Sequence, residues 1–164
     1  MDDLGGHPGP ELATIGPKAI RARRRVPGLV RRQRIGRMYP EDPLPDDRLS
    51  YMLDVLGLRD PWMHRVDIAR ATGRPLLLGA HDRVITAQVI ADLAQAWDGP
   101  PAFLELTGPA GGRWSLGDGP PAATVQADAV DYLRALSGRN DHPDLQVTGD
   151  PIAATAATAA RVIF

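Results

Sequence analysis

Cysteine is absent from all 164 residues of this sequence. Disulfide bonds, thiolate metal ligands and a cysteine nucleophile are therefore excluded, and we expect a reducing, cytoplasmic environment. Long hydrophobic runs are absent as well, since no stretch approaches the roughly 18 consecutive apolar residues of a membrane-spanning helix. We therefore expect no membrane partner. Because hydrophobic residues still make up 43% of the chain, it can bury a core in one domain or two small ones.

Lysine is almost absent, and the basic charge comes from arginines that lie mostly near the N-terminus. Residues 1–37 carry nine basic and three acidic side chains, whereas residues 38–164 carry ten and seventeen. The bias towards arginine, alanine, glycine and proline is typical of a GC-rich genome. The arginine-rich stretch 21–37 favours a contact with nucleic-acid phosphates, but no helix-turn-helix or zinc-finger spacing accompanies it. Nucleic-acid binding is therefore the least favoured alternative.

Glycine and proline divide the first half of the chain. They predict a flexible leader over residues 1–17 and a short helical stretch over 18–37 that is interrupted at Pro27-Gly28. A long helical pattern follows. It has Asp46 or Asp47 as its N-cap and ends before Gly73.

The long helical pattern contains its own breaker residues, Gly57 and Pro61, which predict a kink or a break midway. A second amphipathic helix is predicted over residues 82–97. Its core-facing residues are Val84, Ile85, Val89, Ile90, Leu93 and Trp97.

The pattern changes near residue 98, where short apolar runs separated by Gly/Pro turns replace the helical periodicity. The predicted strands lie at 103–106, 113–116, 123–126 and 145–147. Asp128 is suited to cap a helix over 129–136, and Asp150-Pro151 is suited to open a terminal one. The order after residue 98 is thus β-β-β-α-β-α, and the predicted fold class is α+β.

Asp60 and His64 are the first candidate functional residues. They lie four positions apart on a predicted helix, so their side chains project from the same side, and both are suitable ligands for a divalent metal. The stripe of Leu49, Leu53 and Leu56 continues through them to Asp67, which predicts that these polar groups face inwards, with Asp67 able to orient the imidazole. The structural alternative is that Asp60 caps a helix and His64 is a core histidine.

Several segments together resemble the mycothiol-dependent maleylpyruvate isomerase family: MHRVDIARATGRP at 63–75, LELTGPAGGRW at 104–114, ALSGR at 135–139 and VTGD at 147–150. Members of the family join a DinB-like helical bundle, which holds a divalent metal, to a C-terminal α+β domain similar to sterol-carrier folds. The resemblance implies a shortened DinB-like domain over residues 18–98 and the C-terminal domain over 99–164.

The resemblance also implies site residues. In the family, one histidine of an early helix and a Glu-x-x-x-His pair of a later helix bind the metal. Asp60 and His64 are similar to the later pair, with Asp in place of Glu, and zinc is the expected metal. Arg139, in a Leu-Ser-Gly-Arg turn, is similar to the arginine that is implied to hold an acidic substrate. The early histidine has no counterpart, because His7 lies among glycines and prolines.

The leading hypothesis from the resemblance is a metal-dependent, mycothiol-using isomerase or S-transferase that acts on a small electrophilic or acidic substrate. The metal would lower the pKa of the small-molecule thiol, and the resulting thiolate would attack the substrate. The alternative is a truncated, non-catalytic member of the family that serves as a binding or interaction module.

Overall fold

The computed structural model describes residues 10–36, 44–139 and 144–164, with side chains from residue 17 onwards. The first part of the chain is helical and consists of α1 (Pro10–Arg24), α2 (Gly28–Arg31), α3 (Leu49–Tyr51), a π-helical turn (Met52–Leu56), α4 (Gly57–Thr72) and α5 (Ala80–Gln95). The second part consists of β1 (Ala102–Thr107), β2 (Gly112–Leu116), β3 (Ala123–Asp128), α6 (Ala129–Leu136), β4 (Gln146–Gly149) and α7 (Pro151–Ala159).

The strands form one mixed sheet in the order β2-β1-β3-β4. The β1 strand pairs antiparallel with β2 and parallel with β3, and β4 pairs antiparallel with β3. Along β1, Leu104 and Leu106 are buried, whereas Glu105 and Thr107 point to the opposite face. The α+β class and the β-β-β-α-β-α order are confirmed.

One face of the sheet is covered by α5, α6 and α7, and the core there continues into α4. Met63 and Val66 of α4 belong to the same buried cluster as Leu104 and Val125 of the sheet. The change from helices to strands therefore falls where it is predicted, although the packing is continuous across it. The division into domains at 18–98 and 99–164 stays a prediction.

The ends of three helices follow the sequence signals. Asp128 accepts a hydrogen bond from the Val130 N–H at 2.8 Å and caps α6, as predicted. Asp150 caps α7 in the same way. Gly73 ends α4 with a φ of 65°, a left-handed conformation that costs glycine little because it lacks a Cβ.

Three expectations for the helical part are corrected. The helix α1 begins at Pro10, so the leader prediction is wrong for residues 10–17, while residues 1–9 lie outside the described chain. Neither Asp46 nor Asp47 is the N-cap, because the helix begins only after Arg48, whose N–H donates to Asp46. In α5 the side chain of Val84 is 58% exposed, so it does not face the core.

Residues 49–72 stay helical throughout, so the midway change is one of helix type and not a break: the π-helical turn ends directly before Gly57, where α4 begins. Pro61 is the fifth residue of α4, and because proline has no N–H, the helical hydrogen bond that this position would donate to the Gly57 carbonyl is missing. Within the described residues, no helix combines the length and the apolar character that crossing a bilayer requires.

Candidate functional site

Asp60 and His64 lie one turn apart on the outer side of α4. The Nε2 of His64 is 3.3 Å from Oδ1 of Asp60, so the i, i+4 spacing does bring the two groups together. Their side chains are 61% exposed for His64 and 59% exposed for Asp60. The prediction that this side of the helix faces inwards is therefore wrong.

The buried face of α4 is rotated by about one residue, or 100°, from the predicted stripe. It consists of Arg59, Trp62, Met63 and Val66, which follow the three- and four-residue spacing of a core face. The prediction extended a leucine stripe through Met52–Leu56, where the π-helical turn changes the number of residues per turn, so the register was lost. Asp60 lies within the first turn of α4 and is not its N-cap.

The donor set decides whether a metal fits at this pair. In the described residues (10–36, 44–139 and 144–164) there is no cluster of three or more His, Cys, Asp or Glu side chains that is able to hold a metal. Asp60 and His64 supply two donors, one fewer than the three protein ligands of a typical catalytic zinc site. His7 lies outside the described chain. The described residues do not fit the implied metal, and the assignment of the pair as ligands stays a prediction.

Arg139 is held by Asp67 through a bidentate ion pair. The Nε of Arg139 lies 3.0 Å from both carboxylate oxygens of Asp67, and Nη2 lies 2.7 Å from Oδ2. Arg134 of α6 donates to the same carboxylate at 2.5 Å. Asp67 was one candidate for orienting His64, with a hydrogen bond at the helix surface or in the core as the alternative; in the structure it joins α4 to the turn after α6.

The two arginines also set the protonation of Asp67. Partial burial by itself raises the pKa of this carboxyl, but the hydrogen bonds from Arg139 and Arg134 outweigh burial and hold the pKa below its ordinary value. Asp67 is therefore ionised at neutral pH. Its negative charge fixes the guanidinium of Arg139 in place.

Arg139 keeps part of its hydrogen-bonding capacity. Its Nη1 donates to the Ser137 hydroxyl at 2.9 Å, and that hydroxyl donates to the Arg134 carbonyl at 2.8 Å. A guanidinium has five N–H groups, and the bonds to Asp67 and Ser137 engage three of them. One N–H on Nη1 and one on Nη2 have no acceptor among the described residues.

A cleft of about 510 Å³ opens beside Arg139, between α4, α5, the turn after α6 and the segment after α7. This volume is within the range of small-molecule sites. Asp60 lines the cleft together with Arg139, so the structure brings these two candidates to one place, whereas His64 is not among the lining residues. The other lining residues are Pro45, Asp92, Ala96, Ser137, Arg161, Val162, Ile163 and Phe164.

Below the cleft, Asp92 belongs to a buried polar cluster that the sequence did not indicate. Its Oδ2 lies 2.6 Å from Nη2 of the fully buried Arg59 and accepts a hydrogen bond from the Tyr51 hydroxyl. Burial raises the pKa of Tyr51, and the bond to Asp92 raises it further. The sequence analysis missed Arg59, because an isolated arginine resembles a surface residue. Only its ion pair with Asp92, 33 residues away, shows that it belongs to the core.

Asp82 forms a second buried cluster that was missed. Its fully buried carboxylate accepts hydrogen bonds from the Trp62 indole at 2.6 Å, from the Arg65 guanidinium and from the Gly79 N–H. Burial alone raises the pKa of Asp82, but these three donors outweigh it and hold the pKa below its ordinary value. The cluster locks α4 against the start of α5.

Two arginines of the basic stretch 21–37 are used inside the protein. Arg23 donates to the Leu53 carbonyl at 2.9 Å, and Arg31 pairs with Asp54. These contacts join α1 and α2 to the π-helical turn. Nucleic-acid binding through this stretch stays a prediction that these two residues do not favour.

The comparisons with known proteins concern the second half of the chain. Residues 80–156 match the MDMPI C-terminal domain, a segment that begins at the first residue of α5 and ends within α7. No curated protein matches the chain at a significant level. The match covers the LELTGPAGGRW, ALSGR and VTGD motifs and the turn that carries Arg139. The chain therefore carries the C-terminal domain of the mycothiol maleylpyruvate isomerase family.

Proposed function

We propose that this chain is a binding member of its family, which holds a small acidic molecule in the cleft beside Arg139 without metal-dependent catalysis. The observation that carries the proposal is the fixed guanidinium of Arg139 at the wall of a cleft of about 510 Å³. The proposal keeps the cytoplasmic location expected from the sequence.

The geometry of Arg139 supports recognition of a carboxylate. Asp67 takes the Nε and Nη2 side of the guanidinium, so the N–H groups that remain are on Nη1 and Nη2. These two atoms form the end of the guanidinium fork, which suits two parallel bonds to a carboxylate. Because Asp67 and Ser137 already hold the side chain, little conformational entropy is lost on binding.

The donor set near the cleft supports binding rather than metal chemistry. Asp60 lines the cleft, but no cluster of three ligands accompanies it in the part of the chain that the structure describes. The described residues therefore support holding an acid better than they support transforming it.

The proposal is tested with maleate, a small cis diacid, as the probe. The Arg139→Gln variant is expected to bind maleate at least about tenfold more weakly, because a hydrogen-bonded charge pair contributes roughly 1.5–3 kcal/mol. Titration calorimetry at fixed ionic strength measures the affinity. The matched control is Arg83→Gln, an exposed arginine of α5 that does not line the cleft, and it should remain within twofold of the unmodified protein. Equal affinities of all three proteins would contradict the proposal.

A second candidate function is the mycothiol-using isomerase or S-transferase that the resemblance implies. The contact that favours it is the 3.3 Å approach of Asp60 and His64, both open to solvent. This candidate needs a third donor from outside the described residues. We therefore derive no reaction step through a metal.

Metal content distinguishes the two candidates. The protein purified with added zinc is expected to retain well below one equivalent after dialysis, and His64→Ala should change the free energy of unfolding by less than about 0.5 kcal/mol, because the pair is exposed. Elemental analysis and urea unfolding measure these quantities. One tightly held zinc per chain that is lost in His64→Ala would instead favour the enzyme.

A further inference from the structure

Building on the proposed binding function, we infer the chemical class of the ligand: a carboxylic acid that carries a hydroxyl group. Arg139 would receive the carboxylate, and the free oxygen of Asp92 would accept a hydrogen bond from the hydroxyl. Both residues line the same cleft, and neither the family match nor the resemblance assigns a role to Asp92.

Within the part of the chain that the structure describes, one oxygen of Asp92 is engaged and the other has no donor. Tyr51 donates to Oδ2, and Nη2 of Arg59 lies against the same atom. Among the described residues, none donates to Oδ1. The side chain is 14% exposed and lines the cleft, so a ligand can reach the carboxylate, and Oδ1 is its oxygen without a donor among the described residues.

The buried partners of Asp92 explain why it would prefer a hydroxyl to a second carboxylate. Arg59 and Tyr51 hold the carboxylate rigidly from beneath, and Arg59 compensates its charge. A carboxylate can only accept hydrogen bonds, so Oδ1 requires a donor from the ligand. A ligand hydroxyl supplies that donor, and a second carboxylate would meet repulsion.

The cleft wall offers partners for both parts of such a ligand. The lining side chains carry two guanidinium groups, those of Arg139 and Arg161, and two carboxylates, those of Asp60 and Asp92. An acid group can pair with a guanidinium, and a hydrogen-bond donor can pair with a carboxylate.

Three probes, each with six carbon atoms, test the carboxylate contact with Arg139 and the hydroxyl contact with Asp92 separately. Gluconate has a carboxylate and hydroxyls, hexanoate has only the carboxylate, and sorbitol has only hydroxyls. We expect gluconate to bind the unmodified protein at least about tenfold more tightly than either of the others, since hexanoate loses the hydrogen bond to Asp92 and sorbitol loses the charge-assisted bonds to Arg139. Titration calorimetry at constant ionic strength measures the three affinities.

The outcomes distinguish this inference from the proposed function. If hexanoate binds as tightly as gluconate, the hydroxyl inference is overturned while the acid-binding function stands. If maleate, gluconate and hexanoate all fail to bind, the proposed function itself is overturned. Tighter binding of sorbitol than of gluconate would also exclude a carboxylate contact with Arg139.

The variant Asp92→Asn tests whether the carboxylate of Asp92 causes the preference for gluconate over hexanoate. It is expected to remove most of the advantage of gluconate over hexanoate, measured as the ratio of the two affinities in the variant. An unchanged advantage in a folded variant would overturn the assignment. Because Asp92 also pairs with the buried Arg59, circular dichroism must first establish that the variant folds. The three-probe comparison on the unmodified protein does not depend on that result.

Discussion

Replacement of Asp82 by alanine is expected to lower the free energy of unfolding by about 3 kcal/mol. The buried carboxylate accepts hydrogen bonds from Trp62, Arg65 and the Gly79 N–H, and its removal leaves these donors without an acceptor in the core. Each buried donor without a partner costs roughly 1–3 kcal/mol, so three donors cost at least about 3 kcal/mol. Because the partly exposed side chain of Arg65 can rearrange, we expect a total near this lower limit. Urea unfolding followed by tryptophan fluorescence measures the change.

The effect of Asp82→Ala is also expected to depend on pH. Because the folded-state pKa of Asp82 is lowered, its ionised form contributes stability that is fully present above the ordinary value of 3.8 and is lost as the pH falls through the folded value. The difference between the unmodified protein and the variant should therefore be constant at neutral pH and should shrink below about pH 4.

The matched control for this prediction is Asp98→Ala, which removes an exposed carboxylate just after α5. It should change the free energy of unfolding by less than about 0.5 kcal/mol. A similar, small effect of both substitutions would show that the Asp82 cluster is not important for stability. A pH-independent difference would show that the carboxylate charge is not the stabilising feature.

Arg59→Met is expected to lower the free energy of unfolding by about 3–5 kcal/mol, which is typical when one partner of a buried ion pair is removed. The guanidinium is fully buried and lies 2.6 Å from Asp92, with the Tyr51 hydroxyl 3.2 Å from its Nη1. Methionine fills a similar volume, so the loss comes mainly from the uncompensated charge of Asp92. Thermal and urea unfolding both measure it.

A double-mutant cycle distinguishes this cause from simple loss of packing. Adding Asp92→Asn to Arg59→Met removes the unpaired charge, so we expect the double variant to be more stable than Arg59→Met alone by about 1 kcal/mol or more. If the losses of unfolding free energy in the two single variants simply add in the double variant, the ion-pair explanation is contradicted. Such a result would point to packing around Tyr51.

The acid-binding proposal and the two buried clusters concern the same part of the molecule. Asp82 locks α4 to the start of α5, and the Arg59–Asp92 pair locks the first half of α4 to the second half of α5. Asp67 then joins α4 to the turn that holds Arg139. Three ion pairs from one helix thus hold the elements that line the cleft in fixed relative positions. A preorganised binding site requires this rigidity.

The sequence by itself determined the elements of the fold and the family of its second half. Strand alternation, the caps at Asp128 and Asp150 and the stop at Gly73 are local signals, and each depends on residues within a few positions of one another. The motifs around Arg139 indicated the family in the same local way, and residues 80–156 match its C-terminal domain.

Only the tertiary structure decided which groups are buried and which partners they have. The leucine stripe predicted an inward-facing Asp60 and His64, but the π-helical turn rotated the helix face and buried Arg59 instead. Arg59 meets Asp92 across 33 residues, and Arg139 meets Asp67 across 72. Such contacts follow from the packing of whole helices and strands. A local sequence pattern does not specify how these elements are rotated and aligned against one another.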